Sequence, residues 1–108
     1  MSGRYEPPTV RVEPSYLSVH IGDMVELRCI ATGYPEPRLE WSGPRGSLPG
    51  DADVHDGLLR FRVSYGEQQG EYQCTATSSA GDATAVSTVV IEGKNQRFNR
   101  KTKYYYYM

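Results

Sequence analysis

Apolar and polar residues alternate along most of the chain, with the period of an extended strand. In MVELRCIA (24–31), Val25, Leu27, Cys29 and Ala31 share one face and Glu26 and Arg28 the other, with Ile30 out of step. RLEW (38–41) turns Leu39 and Trp41 inward. LLRFRV (58–63) sets Leu59, Phe61 and Val63 against outward Arg60 and Arg62, and EYQCTATS (71–78) aligns Tyr72, Cys74 and Ala76. TVRV (9–12) and YLSVHI (16–21) are short β-prone runs separated by Pro14, which suits an edge strand because a missing N–H there breaks no ladder. ATAVSTVVIE (83–92) predicts a long final strand.

The punctuation between these runs agrees with the period. GD (22–23) and SAGD (79–82) read as turns, DADVHDG (51–57) as a short strand and turn, and SYGEQQG (64–70) as a connection. TGYPEP (32–37) ends the second long strand, since two prolines in three residues interrupt a ladder. SGPRGSLPG (42–50) is a loop or irregular edge. Seven or eight short antiparallel strands with turn signals every 8–12 residues predict an all-β sandwich or barrel, and helical periodicity is nearly absent.

Composition narrows the function classes. The chain has 108 residues, one domain with a modest core. A net charge of −1 argues against a nucleic-acid-binding domain, which is usually clearly basic. No apolar run approaches the length that spans a membrane, so no membrane insertion is expected. The two cysteines fit one disulfide or two free thiols. They stand alone, with His20 and His55 at no ligand spacing from them, so no zinc site is predicted.

Trp41 follows Cys29 by 12 residues on the next inward-facing run, and Tyr72 precedes Cys74 by two. Cys…Trp…Cys with that Tyr resembles the signature of the immunoglobulin fold. GDMVELRCIATGYPEPRLEW is similar to strand B, the B–C turn and strand C of I-set immunoglobulin domains, and GEYQCTATSSAG to their strand F and F–G hairpin. Within that family, LEWSGPRGSLP and HDGLLRF look most like the repeats of perlecan-type basement-membrane heparan sulfate proteoglycans.

The resemblance implies an immunoglobulin-like, two-sheet antiparallel sandwich over residues 7–92, with one inter-sheet disulfide between Cys29 and Cys74. Such a bridge contributes roughly 4 kcal/mol in the chain-entropy view. It implies a core of Trp41, Tyr72, Leu27, Leu39, Leu59 and Phe61, and a Tyr72 hydroxyl bonded to the backbone near Glu67 or Gln68. The sequence departs from the family at two places. Gln68 stands where an Asp usually pairs with a base on strand D, and DADVH supplies no base; both partners are missing together. Ser64 stands where an apolar residue is usual, so Val63 or Tyr65 is expected to fill that space, at some cost to the corner.

No Ser-His-Asp order, phosphate loop or pair of carboxylates suggests catalysis, so no enzyme activity, cofactor or metal is expected. Asp51, Asp53, Asp56 and His55 cluster, and a hard cation needs several oxygen ligands; without a recognised ligand loop, a solvated edge and turn is the reading preferred. His20 is read as capping a surface strand. There is no Asn-x-Ser/Thr sequon, and Ser42-Gly43, a glycosaminoglycan-type dipeptide, lacks neighbouring acids.

Residues 1–6 read as an N-terminal linker or added lead-in, and 93–108 as a basic, Tyr-rich tail or linker. All 13 acidic residues precede Gly93, whereas five bases follow it. Arg97, Arg100, Lys101 and Lys103 are candidates for contact with heparin or heparan sulfate, by the counterion release that also drives phosphate binding. The Tyr104–Tyr107 run has strand propensity and could add to a sheet edge.

The function expected is a secreted, non-catalytic module of a matrix proteoglycan or cell-surface protein, which binds other matrix or cell-surface proteins and spaces its neighbours. The alternatives are an intracellular sarcomeric or cytoskeletal spacer and a receptor ectodomain.

Overall fold

The computed structural model describes residues 4–92, 96–99 and 104–107. Eight strands form two facing sheets: β1 (Glu6–Glu13), β2 (Tyr16–Val19), β3 (Met24–Tyr34), β4 (Arg38–Ser42), β5 (Asp53–His55), β6 (Leu58–Arg62), β7 (Gly70–Ser78) and β8 (Gly81–Ile91). One sheet has the order β1-β3-β6-β5 and the other β2-β8-β7-β4. A single 3₁₀ turn, Gly66–Gln68, sits between β6 and β7.

The alternation read from sequence is the alternation of burial. Val25, Leu27, Leu59, Tyr72 and Cys74 are fully enclosed, and Phe61 and Val63 nearly so. They meet between the sheets with Val12, Val19 and Val89, while Leu39 is partly buried against this core. Ile30, out of step in sequence, is half-buried on β3.

Three features depart from the sequence expectation. First, one pairing is parallel. The chain leaves the first sheet after Glu13 and enters the second at Tyr16, where β2 runs parallel to β8, Tyr16 opposite Thr88 and Val19 opposite Ile91. Pro14 lies at the switch. Its carbonyl accepts the Ser87 hydroxyl at 2.7 Å, which satisfies a fully buried side chain, and Thr88 N donates to Ser15 O at 2.9 Å.

Second, β3 continues through Thr32 and Gly33 to Tyr34, rather than breaking at Thr32. The prolines come later, at 35 and 37, and β1 supplies partners for the extension, with Thr32 opposite Thr9 and Tyr34 opposite Glu6 across an irregularity. Gly33 has φ of +142°, and a Cβ there would lie 3.0 Å from Pro8 Cα, so glycine lets the edge strand approach. Third, Tyr104–Tyr107 (β10) does not extend the sandwich; it pairs antiparallel with Gln96–Asn99 (β9), Tyr104 opposite Asn99 and Tyr107 opposite Gln96.

Sheet edges are blunted. β1 carries Pro7 and Pro8, β2 and β5 have four and three residues, and β4 lies between Pro37 and Pro44.

Candidate functional site

β3 and β7 lie in opposite sheets and each presents its cysteine inward. Cys29 and Cys74 are joined, with Cα atoms 6.3 Å apart and a sequence separation of 45. Trp41 is the β4 partner of Cys74 and is 6% exposed. Its indole Nε1 donates to Gly57 O at 3.0 Å. The same carbonyl accepts the Cys29 N–H at 2.9 Å, so one turn residue ties the tryptophan to the bridged strand.

That turn joins β5 to β6. His55 pairs with Leu58, and the two residues between them, Asp56 and Gly57, have φ of 50° and 82°. Positive φ at both central positions is the type I′ geometry that Asp-Gly favours. A Cβ on Gly57 would stand 2.8 Å from Cys29 O. The DG dipeptide was the available signal for this site. Its contact with Trp41 was not readable from the turn type.

At the far end of β6 the tyrosine corner closes. Tyr72 is fully buried, stacks on Phe61 at 5.1 Å between ring centroids, and donates its hydroxyl to Gln68 O at 2.6 Å. Burial pushes the phenol up to about 12, with Tyr65 adding to the shift. Gln68 is itself buried, and its Oε1 accepts Ser64 N at 2.6 Å and Tyr65 N at 3.2 Å. A neutral amide thus turns the corner where the family usually places Asp. Val63 takes the inward position beside Ser64, and Tyr65 stays exposed. Gln69, the neighbour of Gln68, ties down the end of β8 by accepting Ile91 N at its Oε1, at 2.8 Å.

The acidic cluster does not converge. Asp51 Oδ2 accepts Arg62 N at 3.1 Å, Asp53 lies opposite Arg60, and Asp56 meets His55 in an exposed pair at 3.2 Å. Among the described residues no group of three acids, histidines or cysteines is arranged to hold a metal. His20 N donates to Asp23 Oδ2 at 2.9 Å in the turn after β2.

The concave features are small. A depression of about 110 Å³ lies between Pro44, Leu48, Tyr65 and Gln68, one of about 160 Å³ beside Asp53 and Arg62, and one of about 280 Å³ beside Glu36 and Leu39. Small-molecule sites generally run from roughly 300 to 1,000 Å³. The two broad outer faces differ in charge. The β1-β3-β6-β5 face carries the Arg11–Glu13 and Glu26–Arg60 pairs, each at 2.9 Å. The β4-β7-β8 face presents Gln73, Thr75, Thr84, Val86 and Thr88 across β7 and β8, with Glu40 opposite Thr75 on the edge strand and Arg38, Glu71 and Asp82 toward its margins.

Of the candidate heparin contacts, Arg97 lies in β9, while Arg100, Lys101 and Lys103 fall outside the described residues. No helix among the described residues is long and apolar enough to cross a membrane.

A family model described as immunoglobulin domain matches residues 7–78. The chain is 42% identical over 94 residues to the basement membrane-specific heparan sulfate proteoglycan core protein of Mus musculus, covering 86% of this chain and 2% of that protein. It is 41% identical over 81 residues to the basement membrane proteoglycan of Caenorhabditis elegans, covering 73% of this chain and 2% of that protein. The solved three-domain ectodomain of mouse nectin-like molecule 4 matches with a TM-score of 0.71 and 32% identity, over 82% of this chain and 32% of that one. The chain thus spans a small fraction of the curated relatives it matches.

Proposed function

The chain belongs to the immunoglobulin domain family, and from that premise we propose that it works as an extracellular module of a multidomain matrix protein, binding other matrix or cell-surface proteins and spacing its neighbours. The observation that carries the reading is the closed Cys29–Cys74 bridge inside a sandwich similar to basement-membrane proteoglycan repeats. Disulfides persist in oxidising compartments and are rare in the cytosol. A rigid sandwich with polar, shallow faces suits contact with other macromolecules better than enclosure of a small substrate.

The test is the redox state after expression in two compartments. Secreted protein should gain the mass of two hydrogens on reduction and lose most of its denaturant resistance. A cytosolic preparation with both thiols free and equal resistance would overturn the reading and favour a sarcomeric or cytoskeletal spacer. A receptor ectodomain is the second reading, supported by the likeness to the nectin-like ectodomain. Full-length topology separates it from a matrix protein.

Within this reading, heparin or heparan sulfate is the proposed polyanion partner, through Arg97, Arg100, Lys101 and Lys103. The charge asymmetry about Gly93 motivates it. Retention on a heparin column should fall steeply with salt and vanish on truncation after Gly93. Equal elution of full-length and truncated protein would remove the tail from the function.

A further inference from the structure

The β5–β6 turn holds a chemistry that the module role does not use. Asp56 has 88% of its side chain in solvent, and His55 Nε2 lies 3.2 Å from Asp56 Oδ2. Asp56 is the one Asp in the sequence followed by Gly; Asp23, Asp51, Asp53 and Asp82 precede Met, Ala, Val and Ala. A glycine amide has no Cβ beside it, so it is the least hindered backbone nucleophile that a carboxyl group can neighbour. Among the described residues no hydrogen bond engages the Gly57 N–H. Asp23 and Asp51, by contrast, accept backbone N–H groups from His20 and Arg62.

We propose that Asp56 is a site of spontaneous isoaspartate formation, and that the product loosens the turn over Trp41 and the disulfide. In the first step Gly57 N attacks Cγ of the protonated Asp56 carboxyl group. The N–Cγ bond forms and the C–OH bond breaks. The hydroxyl leaves as water, taking the proton that the amide gives up, with the His55 imidazole as relay. The product is a five-membered succinimide. In the second step water adds back to one imide carbonyl. Cleavage of the new N–Cγ bond restores aspartate. Cleavage of the original peptide C–N bond leaves the backbone running through Cβ and Cγ, which is isoaspartate. The water lost is regained, so the net change is an isomerisation that needs no oxidant or cofactor.

The consequence follows from the position of Gly57. Its carbonyl accepts both Trp41 Nε1 and Cys29 N, and a Cβ on it would approach Cys29 O to 2.8 Å. An added backbone atom immediately before this residue displaces a carbonyl that has two donors and little room. A change at an exposed turn is thereby transmitted to the only tryptophan in the sequence. Isomerisation at this turn does not depend on the extracellular role.

The experiment ages the folded, oxidised protein at physiological temperature and neutral pH for weeks. Isoaspartate is read by methyl transfer from S-adenosylmethionine with protein isoaspartyl methyltransferase, followed by peptide mapping. The label should build up in the peptide that contains Asp56. It should be absent from that peptide in Asp56→Gly, which suits the positive φ, and form at least twofold more slowly in His55→Ala. The separated isoaspartyl form should show shifted Trp41 emission and a lower denaturant midpoint. If the folded protein stays unlabelled while a synthetic peptide of residues 51–62 becomes labelled, the turn protects Asp56 and the proposal fails. An equal rate in His55→Ala removes the imidazole from the step. Unchanged Trp41 emission in the isoaspartyl form removes the coupling to the core.

Discussion

The turns at the two ends of β6 each offer one backbone carbonyl to a core aromatic side chain, and they hold that carbonyl in different ways. Before β6, Gly57 O receives Trp41 Nε1 and Cys29 N, and its position comes from backbone conformation, two residues with positive φ in a two-residue turn. After β6, Gln68 O receives the Tyr72 hydroxyl from a 3₁₀ turn closed by Gln68 N→Tyr65 O and Gln69 N→Gly66 O, and a side chain adds to the hold, the Gln68 amide oxygen folded back onto Ser64 N and Tyr65 N. The first corner depends on positive φ at Asp56 and Gly57 and has little room beside Gly57. The second depends in addition on a side-chain acceptor at 68. A corner built from backbone geometry breaks by steric intrusion, and one built from side-chain bonds breaks by loss of a partner.

The bridge beneath the first corner gives the largest expected effect. Cys29→Ser or Cys74→Ser should destabilise by roughly 2–5 kcal/mol, because the cross-link constrains the unfolded state and its loss leaves polar atoms between the sheets. Denaturant midpoints of oxidised wild type and either variant measure it. Coincident midpoints would show that the first corner holds without its staple.

Gly57→Ala sharpens the contrast itself. Alanine at a positive φ costs about 1–2 kcal/mol, and intrusion into a packed neighbour typically adds about 1–3 kcal/mol. The intruded atom is Cys29 O, a backbone atom that cannot rotate away, with Leu39 Cδ1 behind it at 3.3 Å. A loss on the order of 2–5 kcal/mol is expected from these two contributions, with a shift in Trp41 emission. Alanine at Gly46, whose φ is +97° but which has open space around it, should show the conformational part alone. Equal losses at the two glycines would mean that close approach contributes nothing.

How much of this was legible follows the same division. Covalent and aromatic parts were readable because their spacing is tied to strand pairing: Cys29, Trp41, Tyr72 and Cys74 fall on inward positions of three strands, and alternation places them there. The acceptor near Gln68 was readable because a tyrosine corner returns to the backbone a few residues upstream. The crossing of β2 to the other sheet was not, since a β-prone run after Pro14 reads the same whichever sheet it joins. The extension of β3 to Tyr34 was hidden because its partners come from β1, far away in sequence. Gln68 read as a missing charge, whereas its neutral oxygen supplies two hydrogen bonds at the corner.

Tyr72→Phe tests the second corner through its hydroxyl. Gln68 O would lose its donor in a closed site, at a cost of about 1–2 kcal/mol near neutral pH. The phenol adds a signature in alkali. Its folded value stands at about 12 against 10.0 for the free side chain. Above pH 10 the unfolded state releases this proton while the folded state retains it, so ionisation favours unfolding. Stability is full below pH 10 and declines through pH 12, by an amount on the order of 2–3 kcal/mol. Phenylalanine removes this contribution, so the variant's deficit should shrink or reverse as pH rises across that window. Parallel stability curves for the two proteins between pH 10 and 12 would show that Tyr72 does not titrate differently on folding.

The sharpest division between shape and acceptor is at Gln68, where the glutamate variant gives the smallest effect expected. Gln68→Met keeps the length of the side chain and removes the oxygen, which leaves Ser64 N and Tyr65 N without their partner; a loss of about 1–3 kcal/mol should follow. Gln68→Glu keeps an oxygen in the same place. Two N–H donors favour the carboxylate, burial disfavours it, and no cation stands opposite, so the opposing contributions nearly cancel. Its loss should stay within about 1 kcal/mol. Urea melts of the three proteins at neutral pH decide the matter. A glutamate variant as unstable as the methionine one would show that charge burial governs this corner, and would explain why the Asp found there in related domains is accompanied by a base on the neighbouring strand. A glutamate variant close to wild type would show that the corner asks only for an acceptor, which is what the 2.6 Å contact to Ser64 N implies.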